Sequence, residues 1–398
     1  MVIPKIVWVT RSFLDYRIPV FEALDHLVEG QLYLLFSADY VPESVQKKAV
    51  GVLGDRAVGL SGEWKLGAED QHFMANSNIS LRYQPGLIQK IRRLNPDVLV
   101  CDGFFKWTFS ALIGRLFFRV PLVINYERTF HTERNVQWYR TRYRKMVLRV
   151  TDAMDCSGRL SVEYSRSLGM PSEKITTGHM TADTDLLSQR ASRVTDEETR
   201  ELRHRLDIQG VLFLYVGRLH ARKGCDQLIR AWEHFIGDET HQATLLLVGP
   251  DEVESKTRVL CQAGGCHNIQ CIGAVAYDEI ALYYRSADVF LISTLEDNWS
   301  LVVPEAMACG LPIICSTYNG CWPELVHEGR NGWVFDPLDQ GDFQRVLKTC
   351  QAHQESLEEM GKISQEIIAQ YGPESGARSI LEACQLALNH RKTDTVRR

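Results

Sequence analysis

Short apolar runs alternate with stretches of helical period along most of this chain. The runs at Ile6–Thr10, Gln31–Phe36, Asp97–Cys101, Leu122–Tyr126 and Ala153–Cys156 have the length of strands buried on both faces. Helical spacing fills the gaps around Pro19–Leu27, Pro85–Leu94, Trp107–Phe117 and Arg134–Val150. A second series follows, with strands at Val211–Val216, Ala243–Val248, Ile269–Ile272, Val289–Ser293, Ile313–Ser316 and Trp333–Phe335. Its helices start near Cys225, Glu254, Tyr277, Leu301 and Cys321, and another covers Asp342–His353. Such alternation predicts α/β architecture with parallel sheets built from βαβ units. Two series predict two doubly wound domains with a cleft between the carboxyl ends of their strands. Between the series, the polar passage SQRASRVTDEETRELRHRL reads as a linker running into a helix. Ile363–His390 reads as helix broken at Gly372-Pro373, and residues 37–84 carry no clear period, as functional or mobile segments do.

The most informative stretch is Asp288–Thr317, which reads strand, loop, helix, strand. Thr294–Trp299 breaks the apolar run. Ser300 is placed to cap a helix of about three turns, Pro304 falls in its first turn, and Gly310 sits where it stops. Asp297 lies in the loop and Glu305 in the first turn, and between them lie backbone N–H groups at the positive end of a helix dipole. Amides there suit a phosphate, and acids beside them make sense if they accept hydrogen bonds from hydroxyls. A sugar nucleotide has both features. Alone, Glu305 could also be a charge that complements the dipole.

Length and composition narrow the class. The chain has 398 residues, 45% hydrophobic and 24% charged, which suits two soluble domains. A net charge of −5 gives no reason to expect nucleic acid as a partner. Met1-Val2-Ile3-Pro4-Lys5 leads straight into a strand and no apolar run approaches bilayer length, so a cytoplasmic protein is expected. The 11 cysteines are expected to be free thiols. Neither Cys261/Cys266/Cys271 nor Cys309/Cys315/Cys321 contains a CxxC pair, so no metal site is expected.

A second turn carries cations. Val211–Val216 ends in Gly217-Arg218, then Arg222-Lys223-Gly224 and an amphipathic helix. Arg offers a planar fork for phosphate oxygens and Lys a mobile point charge, although a solvated loop would look similar.

VGRLHARKG, LLLVG, CIGAV and LEDNWSLVVPEAMACGLPII together resemble the retaining family-4 glycosyltransferases of the GT-B fold. The resemblance is strongest over Leu212–Asp336 and continues more weakly at PSEKITTGHMTADTDLL. It implies two Rossmann-like domains facing across a cleft: residues 1–188 on the acceptor side and 189–365 binding the nucleotide sugar, with 366–398 as a C-terminal helix returning to the first domain. It also implies that Glu305 accepts from the ribose hydroxyls and Asp297 contacts the transferred sugar. Asp297 replaces the usual glutamate, so neighbouring Glu296 could reach the site instead. Asn298, Trp299, Ser300, Leu301 and Val302 would present amides to the sugar and diphosphate, Arg218 and Lys223 would neutralise the departing diphosphate, and Gly273, Ala274 and Val275 would read the base. With cations doing this work and no DxD triplet, no metal or other cofactor is expected.

In the first domain the family often carries a His just past the strand equivalent to Leu122–Tyr126. Here His131 in TFHT lies several residues beyond, and Glu127 is nearer. Either could polarise an acceptor hydroxyl. The first loop, TRSFLDY, lacks the family's glycine pair, so either Arg11, Ser12 and the backbone there substitute near the β-phosphate or the loop serves the acceptor. The helix QWYRTRYRKMVLR joins cations to aromatics and would suit an anionic membrane, or a solvated face with an apolar stripe toward the core. The expected activity is retaining, metal-independent transfer of a hexosyl group from a nucleoside diphosphate sugar to a hydroxyl of a sugar or lipid-linked acceptor. A nucleotide-sugar 2-epimerase and a non-catalytic sugar-nucleotide-binding protein are the alternatives.

Overall fold

The computed structural model describes residues 3–66, 81–237, 242–250 and 268–396. They divide into two units, Met1–Thr181 with Pro373–Arg398, and Ala182–Gly372.

In the first unit the strands are β1 (Ile6–Val9), β2 (Leu32–Ser37), β3 (Ala57–Leu60), the hairpin β4 (Trp64–Leu66) and β5 (Leu81–Tyr83), then β6 (Val98–Asp102), β7 (Leu122–Tyr126), β8 (Ala153–Cys156) and β9 (Ile175–Thr177). All but the hairpin form one parallel sheet in the order β3-β2-β1-β6-β7-β8-β9. Alternate residues feed cores on opposite faces: Ile6, Trp8, Val98 and Val100 on one, Val7, Val9, Leu99 and Cys101 on the other. That two-sided burial is why these strands read as unbroken apolar runs. The C-terminal helix Pro373–Val396 covers the first face beside helix Ile18–Leu27, burying Ala377, Ile380, Ala383, Cys384 and Ala387.

The stretch 37–84 has more order than its sequence suggested. It holds helix Glu43–Leu53, β3 and the hairpin; Trp64 is exposed, and Phe73 lies outside the described residues. Helix Arg159–Ser167 and edge strand β9 were also unforeseen. The expected linker is two helices, Thr184–Arg193 and Asp196–Arg205, the second begun by a Thr195–Glu198 capping box.

The second unit contains β10 (Val211–Val216), β11 (Ala243–Val248), β12 (Ile269–Gly273), β13 (Val289–Ile292), β14 (Ile313–Ser316) and β15 (Gly332–Phe335). They form a parallel sheet in the order β12-β11-β10-β13-β14-β15. Helix Cys225–Ile236 packs Trp232 and Phe235 on Phe213 of β10, with ring centroids 5.1 and 6.2 Å away. The helix expected near Glu254 lies outside the described residues. The one expected at Tyr277 begins at Ile280, because Tyr277 belongs to the turn before it.

In each sheet the strand order reverses once, between β1 and β6 and between β10 and β13. Open α/β sheets bind ligands at the carboxyl ends of such strands. Among the described residues, the cysteines are unpaired thiols, all buried save Cys271, which is half-buried, and no helix is long and apolar enough to cross a membrane. Cys261 and Cys266 lie outside the described residues.

Candidate active site

The turn after β10 and the loop after β13 are stitched together at the second unit's reversal point. Leu295 N donates to Arg222 O at 2.9 Å, and Ser293 Oγ donates to the carbonyls of Lys223 and Gly224, each at 3.1 Å. Gly224, at φ +69, has to be glycine, since a Cβ there would sit 1.9 Å from Ser293 O. This close approach delivers Lys223 to the acidic loop, with Nζ 2.5 Å from Asp297 Oδ2.

Asp297 is fully engaged. The same Oδ2 accepts from Ser300 Oγ at 2.5 Å, and Oδ1 accepts from Trp299 N at 3.2 Å. Burial by itself would raise this carboxyl's pKa, but the charge and hydrogen bond of Lys223, then Ser300 and the Trp299 amide, hold it below the ordinary value. Ser300 therefore spends its hydroxyl on Asp297 instead of capping a helix. The helix begins at Val302 and ends at Ala308, about two turns and not three, because the loop is pinned from outside. Ser300 N donates to Asn319 Oδ1 at 3.2 Å, and Asp297 N and O bond Tyr318 O and Gly320 N at 3.2 and 3.1 Å. The amides of Trp299 and Ser300, two of the five expected to face a ligand, are thus committed within the loop.

Glu305 stands in the first turn of that helix. Tyr284 OH donates to Oε2 at 3.0 Å and Tyr277 OH to Oε1 at 3.4 Å. Burial pushes the carboxyl up to about 7, with the two hydroxyls pulling the other way. Neither tyrosine's role is visible in the residues around it in the chain. Tyr284 lies among apolar residues at helical spacing and looks like core, and its ring is indeed buried.

Arg218 follows β10 and is exposed; its carbonyl accepts from Tyr215 OH at 3.0 Å. Glu296 is buried within the loop. Leu301 and Val302 are half-buried and Asn298 lies beside Asp297. Gly273 ends β12 at φ +84, its carbonyl taken by Gly249 N at 2.8 Å, and Ala274 and Val275 follow toward the surface.

In the first unit Glu127 comes directly after β7 and is half-buried, near enough to Arg17 to help raise that guanidinium's pKa. His131 sits in a turn closed by Thr129 N to Thr132 Oγ1 at 3.0 Å, and its carbonyl accepts from Arg134 Nη1 at 2.6 Å. Close by runs a polar line absent from the sequence reading. Arg17 pairs with Asp102 at 2.8 Å, Asn125 Nδ2 donates to Asp155 at 2.9 Å, and Thr176 and Ser379 donate to Asp155 at 2.9 and 2.6 Å. Burial lifts Asp155 to about 6 despite these donors.

Helix Trp138–Leu148 divides its cations. Arg144 turns inward to Glu133 at 2.8 Å and Tyr164 OH at 2.9 Å, and Arg140 is buried over Phe105. Arg142, Lys145 and Arg149 stay exposed with Trp138, Tyr139 and Met146.

Residues 197–367 match the family described as Glycosyl transferases group 1. An uncharacterised glycosyltransferase of Methanocaldococcus jannaschii is 33% identical over 142 residues, 35% of this chain and 36% of that protein. The sulfoquinovosyl transferase of Arabidopsis thaliana is 27% identical over 320 residues, 74% of this chain and 57% of that protein. The matched part thus spans about a third to three-fifths of these relatives. In fold the chain resembles Anabaena HepE, crystallised with UDP, at a TM-score of 0.73 and 16% identity over 96% of this chain and 99% of that one. Sucrose-phosphate synthase of Thermosynechococcus elongatus resembles it at a TM-score of 0.64 and 15% identity over 98% and 99%. With two parallel α/β sheets, a C-terminal helix packed on the first and the matched motifs at the second sheet's reversal point, the chain has the GT-B fold, and its residues 197–367 carry the group 1 glycosyltransferase match.

Proposed function

We propose that this protein is a retaining glycosyltransferase that moves a hexosyl group from a nucleoside diphosphate sugar, a UDP-sugar first among them, to a hydroxyl acceptor. The observation that carries the reading is the contact of Lys223 with Asp297 in the loop that leads to Glu305. Cation and acids from separate turns meet where a sheet of this topology holds its ligand. UDP is named first because HepE, of like fold, was crystallised with UDP-glucose.

In this reading Glu305 accepts from the ribose hydroxyls and Gly273–Val275 meets the base. Lys223 has three N–H donors, so it can keep Asp297 and still give to the diphosphate, a task that Arg218 would share. Asp297, held in place, contacts the transferred sugar, and of the five amides expected there those of Asn298, Leu301 and Val302 complete the donor loop, since Trp299 N and Ser300 N bond within it. The bond from the anomeric carbon to the diphosphate breaks on the face where the acceptor oxygen bonds. The acceptor proton passes to the departing phosphate oxygen or to Glu127 or His131. Cations fixed before reaction offset the leaving-group charge, a contribution of several kcal/mol in a water-poor site, without calling on a metal. The exposed cations and aromatics of helix Trp138–Leu148 would rest on anionic lipid if the acceptor is lipid-linked.

The test is a thermal-shift screen over UDP-, GDP-, ADP- and dTDP-sugars, followed by labelled-sugar transfer with the stabilising donor. One donor class should raise Tm in the native chain and not in Lys223→Ala. No stabilisation by any of the four would end this reading.

A further inference from the structure

The first unit has its own reversal point, at the carboxyl ends of β1 and β6. The loops after these two strands line a cavity of about 70 Å³ whose polar wall is Thr10, Arg11, Ser12, Asp102, Lys106 and Thr108. That is room for a few water-sized groups.

The wall is held rigidly. Glu63, with a side chain only 1% exposed, receives Arg11 Nε at 2.9 and 3.0 Å and Trp107 Nε1 at 2.8 Å. Arg11 is also stacked 3.4 Å from the centroid of Tyr40. Fixed in this way, its Nη2 is buried without a hydrogen-bond partner among the described residues. A buried donor left unmatched is costly, and an arriving acceptor would relieve it. Arg82 lies 3.6 Å from the same Glu63. Lys106 holds φ +62, a left-handed conformation that Lys rarely adopts and that persists only because the surrounding structure holds it.

Around the cavity the cations outnumber the carboxylates. Lys106 is among the exposed residues, yet protein crowded about its ammonium lowers its pKa, followed by repulsion from Arg11, Arg128 and Arg82, with Glu63 opposing. The other carboxylates are engaged: Asp102 with Arg17 at 2.8 Å, and Glu133 with Arg144 at 2.8 Å and Arg128 at 3.7 Å. Cations repelling one another at a rigid hollow are stabilised by an anion placed among them.

We propose that Arg11 and Lys106, supported by Arg82 and Arg128, form a binding site for an oxyanion group, phosphoryl or carboxylate, borne by the acceptor. The acceptor is then an anionic molecule, read by a planar fork and a point charge at the reversal point of the first sheet. This rests on the glycosyltransferase reading, since it names the acceptor class. The donor's own diphosphate shares the chemistry, so the test separates the two sources.

Inorganic phosphate is the probe, titrated by calorimetry into the full chain in a Lys223→Ala background, where the donor turn is disabled. Adding Lys106→Asn removes the charge, and Asn tolerates the left-handed backbone better than Lys, so the fold is kept. Phosphate binding is expected to weaken at least tenfold; unchanged binding overturns the proposal. UDP affinity of Lys106→Asn alone is expected within twofold of the native value. A tenfold fall there would give the cations to the donor's diphosphate and overturn the acceptor assignment while leaving the proposed activity standing. Arg11→Gln should repeat the phosphate result.

Discussion

Lys223 Nζ lies 2.5 Å from Asp297 Oδ2, although 74 residues separate them in the chain. Both side chains are less than one-fifth exposed, so neither charge has much water to fall back on. Lys223→Ala would leave Asp297 in its hydrogen bonds without a counter-cation, and about 2 kcal/mol of stability is expected to go with it. Adding Asp297→Asn removes the stranded charge and should restore most of that stability, but not donor turnover, expected at least tenfold below native in both variants. Denaturant unfolding and turnover on the three proteins check this. Recovery of both quantities together would show that Lys223 serves only its partner.

Glu305 gives a pH dependence of known sign. Burial raises its folded pKa from the ordinary 4.5 to about 7. Across that window the folded chain keeps a proton that the unfolded chain has released. The group's contribution is therefore full below about pH 4.5 and is lost as pH rises to about 7. Glu305→Gln cannot ionise and escapes that loss. The variant is expected to gain about 1–3 kcal/mol on native protein near pH 8 relative to their difference near pH 4.5. Urea unfolding at both pH values decides it; the same difference at both would mean that Glu305 does not titrate in this range.

Tyr284 should tune that carboxylate. Its buried hydroxyl donates to Glu305 Oε2 at 3.0 Å, which favours the charged form. Tyr284→Phe keeps the ring and removes the donor, so Glu305 should bind its proton more tightly still. If ionised Glu305 accepts from the donor's ribose, UDP affinity should fall about tenfold at neutral pH, the order of one hydrogen bond to a charged group. It should recover as the pH is raised. Calorimetric titration of UDP from acid to alkaline pH tests this; a loss independent of pH would assign Tyr284 a purely packing role.

Why the tyrosines escaped sequence reading while the loop did not is a matter of how burial writes itself into sequence. Strands such as Val211–Val216 and Ala243–Val248 are covered on both faces and announce themselves as apolar runs, and their order then places Lys223 and Asp297 near each other. Edge strands β3 and β9 are covered less completely, and AVGL and ITT carry no such run. Ser188–Leu206 reads as a linker running into a helix because the two helices that share it bury few side chains. Tyr284 packs as a core residue and does polar work with one atom, so only coordinates distinguish its two roles. Arg11, Arg82, Lys106 and Arg128 share no motif: Arg11 and Lys106 meet because β1 and β6 lie side by side, Arg128 follows β7 on the other side of β6, and Arg82 is drawn in from the hairpin by Glu63.

The seam between helices Ile18–Leu27 and Pro373–Val396 supplies a prediction about how the chain's last segment is held. Ala377, Ala383 and Ala387 are fully buried, with Cys384 and Ile380 between them, so the helix comes close to its neighbour because its facing residues are small. Ser379 Oγ adds a 2.6 Å hydrogen bond to Asp155 at the end of β8, which fixes the helix along its axis. Interiors of this kind have no void to receive a larger side chain. Ala383→Leu should therefore cost about 1–3 kcal/mol through displaced backbone and off-rotamer neighbours. Ser379→Ala, which removes one of three donors to Asp155 and leaves the seam intact, should cost about 1 kcal/mol. Thermal unfolding of the two variants ranks the contributions. If Ser379→Ala proved the more damaging, the helix would be anchored chiefly by its polar contact, and the alanine seam would be a consequence of its position instead of the cause.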